Sequence, residues 1–147
     1  MSKRKELVEL PSKIYAKVIK VIPRITVVGI IKDRRGVLLI KRNVKPFKGY
    51  WVLPGGAVAF KERLKEALER EVMEETGLKV KVVKYVGYYD DPKRSPGRRS
   101  IAHAFVCKVI GGKLEPNYEA SEIKFFKKLP KKIGYDHRKI LRDAGLK

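Results

Sequence analysis

Apolar runs rich in β-branched and aliphatic residues alternate with polar, turn-prone segments along most of this chain. Runs of this kind, bounded by glycine, proline or charged turns, predict β-strands. They cover residues 25–31, 37–41, 80–89, 101–110 and 122–127. In the last run, Ile123 and Phe125 fall on the same side of the strand, because side chains alternate between its two faces.

Two segments near the chain ends have apolar residues at helical spacing. Residues 136–144 predict a terminal helix. Residues 11–22 predict a short helix that packs on the rest of the chain, and a β-strand is the alternative because several residues there are β-branched. Pro23 ends either element. We expect one domain over residues 1–147, in which residues 1–24 are an N-terminal extension.

The segment 56–78 has the clearest helical pattern, and the face of this helix that carries the apolar side chains, the apolar stripe, also carries acids. At about 100° per residue, six side chains share one arc of about 140°: Leu64, Ala67, Leu68, Glu71, Val72 and Glu75. Carboxylates turned toward a core need partners, and two carboxylates one turn apart repel each other. A divalent cation bound by both carboxylates would be a partner for each of them and would offset their repulsion. A solvated amphipathic helix is the alternative, but it explains only the acids outside the stripe.

The other charged residues of this helix suggest how its surface is held together. Glu66, Arg70 and Glu74 are successive neighbours four positions apart, so we expect Arg70 to bridge the two carboxylates. The helix is expected to end at Gly77, which suits the left-handed conformation of a C-terminal cap. The outward face is expected to carry Glu62, Glu69 and Met73.

The spacing of the whole segment resembles a known family. Gly56, five residues, Glu62, seven residues and then the string REVMEETGL over residues 70–78 are similar to the complete Nudix box. On this resemblance the chain is identified as a member of the Nudix hydrolase family. The resemblance implies an α/β (α+β) fold, a Nudix-type α/β/α sandwich with a mixed β-sheet. The mixed order of predicted strands and helices suggests the same architecture.

The resemblance also implies a reaction and a cofactor. Nudix enzymes hydrolyse a phosphoanhydride in a nucleoside diphosphate linked to another group, and we expect Mg²⁺, with Mn²⁺ as the alternative. The implied metal ligands are Glu71, Glu74, Glu75 and the carbonyl of Gly55. Arg70 is included among the catalytic residues, and a further acid, Glu119 or Glu122, is expected from the loop before the last strand. The sequence leaves open which glutamate is the general base.

The resemblance extends to the substrate. Pro92 stands about fifteen residues beyond the box, as in family members that cleave ADP-ribose. We therefore expect ADP-ribose and water to give AMP and ribose 5-phosphate. Arg98 or Arg99 is expected to bind phosphate, because arginine presents a planar fork of donors. Trp51 is expected to stack on adenine, and Arg42 lies in a basic loop that is expected to contact the substrate.

The net charge narrows the choice of partners. The 147 residues include 36 Lys and Arg against 16 Asp and Glu, a formal charge of +20, which favours anionic partners. A MutT-like pyrophosphatase of oxidised nucleoside triphosphates is one alternative function, since it uses the same metal site. An RNA-binding or cap-processing protein is another, although the basic residues are spread along the chain without an RNA-binding signature. A homodimer is also considered.

Two further observations limit the class of protein. No run of 18 apolar residues and no signal-peptide core occur, so we expect a cytoplasmic protein without a membrane partner. Cys107 is the only cysteine, and its apolar neighbours predict a thiol in the core.

Overall fold

The predicted helices and strands occur in the expected order along the chain, and two short strands, Trp51–Val52 and Gly55–Ala57, were not predicted. The computed structural model describes residues 10–115, 117 and 120–146. Helices in this part of the chain are α1 (Ser12–Val18), α2 (Leu64–Thr76) and α3 (His137–Asp143). The strands are β1 (Arg24–Asp33), β2 (Gly36–Arg42), β3 (Trp51–Val52), β4 (Gly55–Ala57), β5 (Leu78–Tyr89), β6 (Ser100–Gly112) and β7 (Ala120–Phe126).

The described strands form one mixed sheet in the order β3-β2-β1-β6-β5, with β4 paired to β1 and β7 paired to β2. The central pair β1–β6 is parallel, and its register runs from Arg24 opposite Ser100 to Ile31 opposite Cys107. The other strand pairs are antiparallel. The mixed sheet confirms the predicted fold class.

Alternation along β1 explains why a helix covers each face of the sheet. Val27 and Ile31 belong to the buried cluster that contains Leu68 and Val72 of α2. Val28 and Ile30 point to the opposite face, in the cluster that contains Ile140 and Leu141 of α3. The two clusters are the two apolar layers of an α/β/α sandwich.

The N-terminal segment is helical, as predicted, and the strand alternative is wrong for the residues that α1 contains. None of the seven α1 residues is buried. Ile19, directly after the helix, is buried and anchors the segment to the sandwich. The extension therefore packs through few contacts. Within the described ranges, no helix has both the length and the apolar character needed to cross a membrane.

Cys107 is a core residue, as predicted from its apolar neighbours. It lies on β6 in the cluster beneath α2, with 2% of its surface exposed. Burial raises the pKa of its thiol to about 12. The thiol is therefore protonated at neutral pH and has no nucleophilic role.

Candidate active site

A cavity of about 350 Å³ joins residues from both ends of the sequence. One group of lining residues contains two acids of α2 and the glycines of β4 that lie next to them: Glu71, Glu75, Gly55 and Gly56. A second group contains the lining side chains that carry positive charge: Arg24, Arg42, Lys45, Arg94 and Arg98. We call these two groups of residues the acid end and the basic end.

The two carboxylates of the predicted pair both line the acid end. Glu71 is 6% exposed, and its carboxylate lies directly against the backbone of Gly56. Glu75 Oε1 accepts a hydrogen bond from the Gly55 N–H at 2.8 Å. The prediction that both acids face inward with the apolar residues is confirmed for Glu71, which is buried, whereas Glu75 is half-buried.

Strand pairing fixes the direction of the Gly55 backbone. Gly55 is paired with Val28, and the Gly29 N–H donates to the Pro54 carbonyl at 2.9 Å. In an antiparallel ladder, a hydrogen bond between these neighbouring residues means that the Val28–Gly55 pair is not hydrogen-bonded to itself. The N–H and the carbonyl of Gly55 therefore both point away from β1. The N–H reaches Glu75. The carbonyl lies on that same edge, which is the orientation that a metal ligand needs.

Arg70 holds the carboxylates around it in place. Its Nη1 donates to Glu71 Oε1 at 2.9 Å and to Glu74 Oε2 at 3.2 Å. Its Nε and Nη2 donate to the two oxygens of Glu62 at 2.6 and 2.9 Å. These bonds, Glu62 first, raise the pKa of the Arg70 guanidinium against the opposing effect of burial. Arg70 is therefore a permanent cation beside the acid end.

Two details of this network differ from the sequence prediction. Glu62 does not face outward: its side chain is 8% exposed and bound to Arg70. The reason is that α2 begins only at Leu64, so the helical wheel does not apply to Glu62. Glu66 is not bridged by Arg70 either. It accepts the Arg63 N–H at 2.9 Å, which is half of a capping box at the helix start.

The acid end suits a divalent cation. Its donors are carboxylate and carbonyl oxygens, which Mg²⁺ and Mn²⁺ prefer. In the part of the chain that the structure describes, no three His, Cys, Asp or Glu side chains are grouped so as to hold a metal by themselves. Mg²⁺ is usually bound by one or two carboxylates together with substrate phosphates and water. Glu71, Glu75 and the Gly55 carbonyl therefore fit a cation that binds together with its substrate.

We predict that Gly56→Ala abolishes activity. A Cβ added at residue 56 would overlap the Glu71 carboxylate, because Cδ, Oε1 and Oε2 of Glu71 all lie within 2.7 Å of it. The carboxylate must then leave its position, and we expect turnover to fall by about a hundredfold or more, since small misplacements at a reacting centre have effects of this size. Steady-state turnover measures this, with Gly111→Ala as the matched control because its Cβ meets only Lys79 Cβ at 3.8 Å. Equal turnover of both variants would contradict the placement of Glu71.

The basic end is organised by a buried ion pair. Arg94 Nε and Nη2 donate to Asp136 at 2.9 and 2.7 Å, and its Nη1 donates to Ser100 Oγ at 2.7 Å. Arg94 is 9% exposed, so its charge is largely balanced by Asp136. Among the described residues, Arg42 and Arg98 have no carboxylate partner and leave the basic end positive.

His137, at the start of α3, lines the same cavity and is neutral. Burial lowers the pKa of its imidazole to about 3, with further lowering by the charge of Arg94. Its Nδ1 accepts the Leu53 N–H at 2.9 Å. The proton of the neutral ring is therefore on Nε2, which makes that nitrogen a hydrogen-bond donor.

The pKa of His137 predicts a specific pH dependence of stability. Between about pH 6.5 and 3 the unfolded chain binds a proton at this residue that the folded chain does not, so stability falls as the pH is lowered. The expected slope is about 1.4 kcal/mol per pH unit below pH 6.5. Urea unfolding at pH 7 and at pH 5 measures how much unfolding free energy is lost as the pH is lowered. This loss should be about 2 kcal/mol smaller for His137→Asn than for the parent. Identical losses would show that His137 is not buried in neutral form.

Three of the predicted substrate-binding residues lie outside the cavity lining. Trp51 packs edge-on against Phe126, with ring centroids 4.7 Å apart, because it points to the sheet face opposite its neighbour Val52. Its expected stacking on adenine is therefore not supported. Pro92 is exposed, and Arg99 is held by the Asp90 carbonyl at 2.8 Å.

Arg42 and Arg98, in contrast, line the cavity. Arg42 is oriented by bonds to the carbonyls of Pro46 and Lys45 at 2.6 and 3.3 Å. Of the two expected phosphate-binding arginines, Arg98 is thus the one at the cavity.

Of the two acids expected from the loop before the last strand, Glu122 is not brought to the cavity. Glu122 lies on β7 opposite Lys41, is exposed and is not part of the lining. Glu119 lies outside the described residues. Glu74 is bound to Arg70 beside the acid end and does not line the cavity.

The lining residues that the sequence analysis did not identify as site residues include Tyr15, Arg24, Arg94 and His137. Their partners explain why. Arg94 pairs with a residue 42 positions away, and His137 with one 84 positions away. No local pattern contains such contacts.

Comparison with known proteins gives one consistent result. A model of the NUDIX domain matches residues 22–144. An ADP-ribose pyrophosphatase of Methanocaldococcus jannaschii is 45% identical over 123 residues, which are 82% of this chain and 72% of that protein.

Solved structures agree. A MutT NUDIX hydrolase from Burkholderia pseudomallei has a TM-score of 0.75 at 25% identity, covering 84% of this chain and 98% of that one. An ADP-ribose pyrophosphatase from Streptococcus suis has a TM-score of 0.69 at 28% identity, covering 84% of this chain and 88% of that one.

Proposed function

Because this chain belongs to the Nudix family of pyrophosphohydrolases, we propose that it hydrolyses ADP-ribose to AMP and ribose 5-phosphate with Mg²⁺ as the preferred metal. One observation carries the proposal: a single cavity is lined both by two carboxylates and by several cationic side chains. A diphosphate linked to two sugars is anionic, so it suits the cationic side chains directly and the carboxylates through a bound cation. The relative from Methanocaldococcus jannaschii, an ADP-ribose pyrophosphatase, supports the choice of substrate.

The acid end is where we place the scissile phosphoanhydride. Glu71, Glu75 and the Gly55 carbonyl would hold the cation. Bound there, a divalent cation would neutralise phosphoryl charge and lower the pKa of an attacking water. The water oxygen forms a new bond to one phosphorus, and the bond from that phosphorus to the bridging oxygen breaks. The bridging oxygen leaves with the other phosphate, and the proton that the water releases passes to this oxygen or to solvent.

The chain's own residues keep this centre in position. Arg70 fixes the Glu71 carboxylate, and its pKa is raised so far that it cannot lose its proton. Arg70 is therefore a positioning residue and not an acid catalyst.

The basic end would bind the rest of the substrate. Arg42 and Arg98 offer charged donors, and neutral His137 offers an Nε2–H donor that does not depend on pH above about 5. Arg94 is engaged with Asp136, so we assign it a role in shaping this wall.

A substrate panel with product identification tests the proposal. ADP-ribose, nucleotide sugars, dinucleoside polyphosphates, oxidised nucleoside triphosphates and capped RNA should be compared with Mg²⁺ and with a chelator. We expect ADP-ribose to have the highest kcat/KM, to yield AMP and ribose 5-phosphate, and to be inert with the chelator. Preferential release of pyrophosphate from nucleoside triphosphates, or of a cap from RNA, would replace the proposal with that activity.

A further inference from the structure

Among the residues that the structure describes, three arginines bind a carboxylate in the same way. In each, Nε and Nη2 donate together to one acid: Arg35 to Asp33, Arg70 to Glu62, and Arg94 to Asp136. This edge of the guanidinium is a planar fork that matches two oxygens of a carboxylate or a phosphate.

Arg24 has the same edge without an acid. Its Nη1 donates to the Tyr15 hydroxyl at 2.7 Å. Its Nε is buried and has no hydrogen-bond partner, the only described side-chain atom in this condition. Among the described residues, no carboxylate forms an ion pair with it. A buried guanidinium N–H without an acceptor is unfavourable, so Arg24 Nε would gain from a ligand that brings an oxygen acceptor.

Arg24 also belongs to the cavity. Arg24, Thr26 and Val28 are alternate residues of β1, so their side chains lie on one face, and all three line the cavity. Val28 is paired with Gly55 at the acid end. Arg24 lies about 13 Å along the strand from Val28, at about 3.3 Å per residue.

We propose that Arg24 forms an anion-binding subsite, in which its Nε–Nη2 edge binds the substrate phosphate farther from Glu71 and Glu75. This inference rests on the proposed function in that it takes the substrate to be a diphosphate. The Tyr15 hydroxyl accepts from Nη1 and so fixes the guanidinium without occupying its Nε–Nη2 edge. Tyr15 is a positioning residue that lies outside the 22–144 segment shared with the family.

The placement of α1 allows the phosphate to enter. Because Arg24 Nε is sealed from solvent, a phosphate oxygen reaches it only when Tyr15 or the Arg24 side chain shifts. None of the α1 residues is buried, so such a shift separates little packed surface. Tyr15 of α1 thus forms a side of the subsite that can open with little loss of buried surface.

Titration calorimetry with ADP tests the subsite without turnover. The measurement uses the full chain and a chelator, so that binding does not depend on a metal. We expect Arg24→Gln to weaken ADP binding by about tenfold or more, the usual loss for a charge-assisted pair. Arg34→Gln is the matched control, because Arg34 is an exposed arginine at the β1–β2 turn and carries the same charge change. The affinity of Arg34→Gln for ADP should stay within about twofold of that of the parent.

Steady-state kinetics with ADP-ribose separates binding from chemistry. Arg24→Gln should raise KM about tenfold with kcat within about threefold, and Tyr15→Phe should raise KM by a smaller factor of about three. Arg24→Lys keeps the charge without the fork, so its KM should lie between those of the parent and of Arg24→Gln. It replaces the glutamine variant in the test if circular dichroism shows that Arg24→Gln is unfolded.

The outcomes separate the two proposals. Absence of ADP-ribose turnover in the parent overturns the proposed function but leaves the ADP titration to judge Arg24. Parent-like ADP affinity in folded Arg24→Gln, or in Arg24→Lys where the former does not fold, overturns the subsite.

Discussion

Replacing Arg70 with methionine is expected to lower the free energy of unfolding by about 3–5 kcal/mol, the effect of removing one partner from a buried ion pair. The Arg70 side chain is 6% exposed, and those of Glu62 and Glu71 are each 8% exposed. Methionine fills a similar volume but removes the cation between them. These carboxylates would then be buried without their charged partner, which is unfavourable.

Urea unfolding at pH 7 measures this change. Arg35→Met is the matched control: Arg35 binds Asp33 through the same guanidinium edge, but its side chain is 53% exposed. Exposed ion pairs contribute about 0–1 kcal/mol, so the control should unfold near the parent midpoint. If Arg70→Met also unfolds near the parent midpoint, the carboxylates do not depend on Arg70.

Glu71→Gln and Glu75→Gln are each expected to lower kcat/KM for ADP-ribose by about a thousandfold, which corresponds to about 4 kcal/mol of transition-state stabilisation. Glutamine keeps the shape of glutamate, and its amide oxygen can still accept the Gly55 N–H at position 75. The fold should therefore be retained. The negative charge that holds a divalent cation is removed.

Glu69→Gln is the matched control for both variants. Glu69 lies on the same helix, is outside the cavity lining, and accepts the Val82 N–H at 3.4 Å. Its kcat/KM should remain within about twofold of the parent. Folded Glu71→Gln and Glu75→Gln proteins with the activity of the control would remove both acids from the reaction.

The helical stripe is the part of the site that the sequence predicted well. Periodicity placed Glu71 and Glu75 with the apolar residues of α2, and both lie there beside the glycine turn. The helix ends at Gly77, whose φ of 79° is left-handed as expected of a C-terminal cap. These features depend on neighbours within one or two turns, and local spacing contains that information.

The basic end could not be predicted in this way. Arg94 reaches Asp136, and His137 reaches Leu53, only because the sheet brings distant segments together. The error at Glu62 arose instead because a local pattern was applied beyond the helix. Helical spacing was extended to a residue that precedes the helix, where the chain folds back so that Glu62 binds Arg70 and the Ala59 N–H.

Binding of Mn²⁺ in the presence of ADP, followed by electron paramagnetic resonance, tests the central claim most directly. The claim is that Glu71 and Glu75 hold a divalent cation at the acid end together with a diphosphate. The parent should bind Mn²⁺, and the folded Glu71→Gln/Glu75→Gln double variant should bind it more than about a hundredfold more weakly, since even loss of outer partners weakens metal sites by about 10–100-fold. Equal Mn²⁺ affinity in the two proteins would contradict the account.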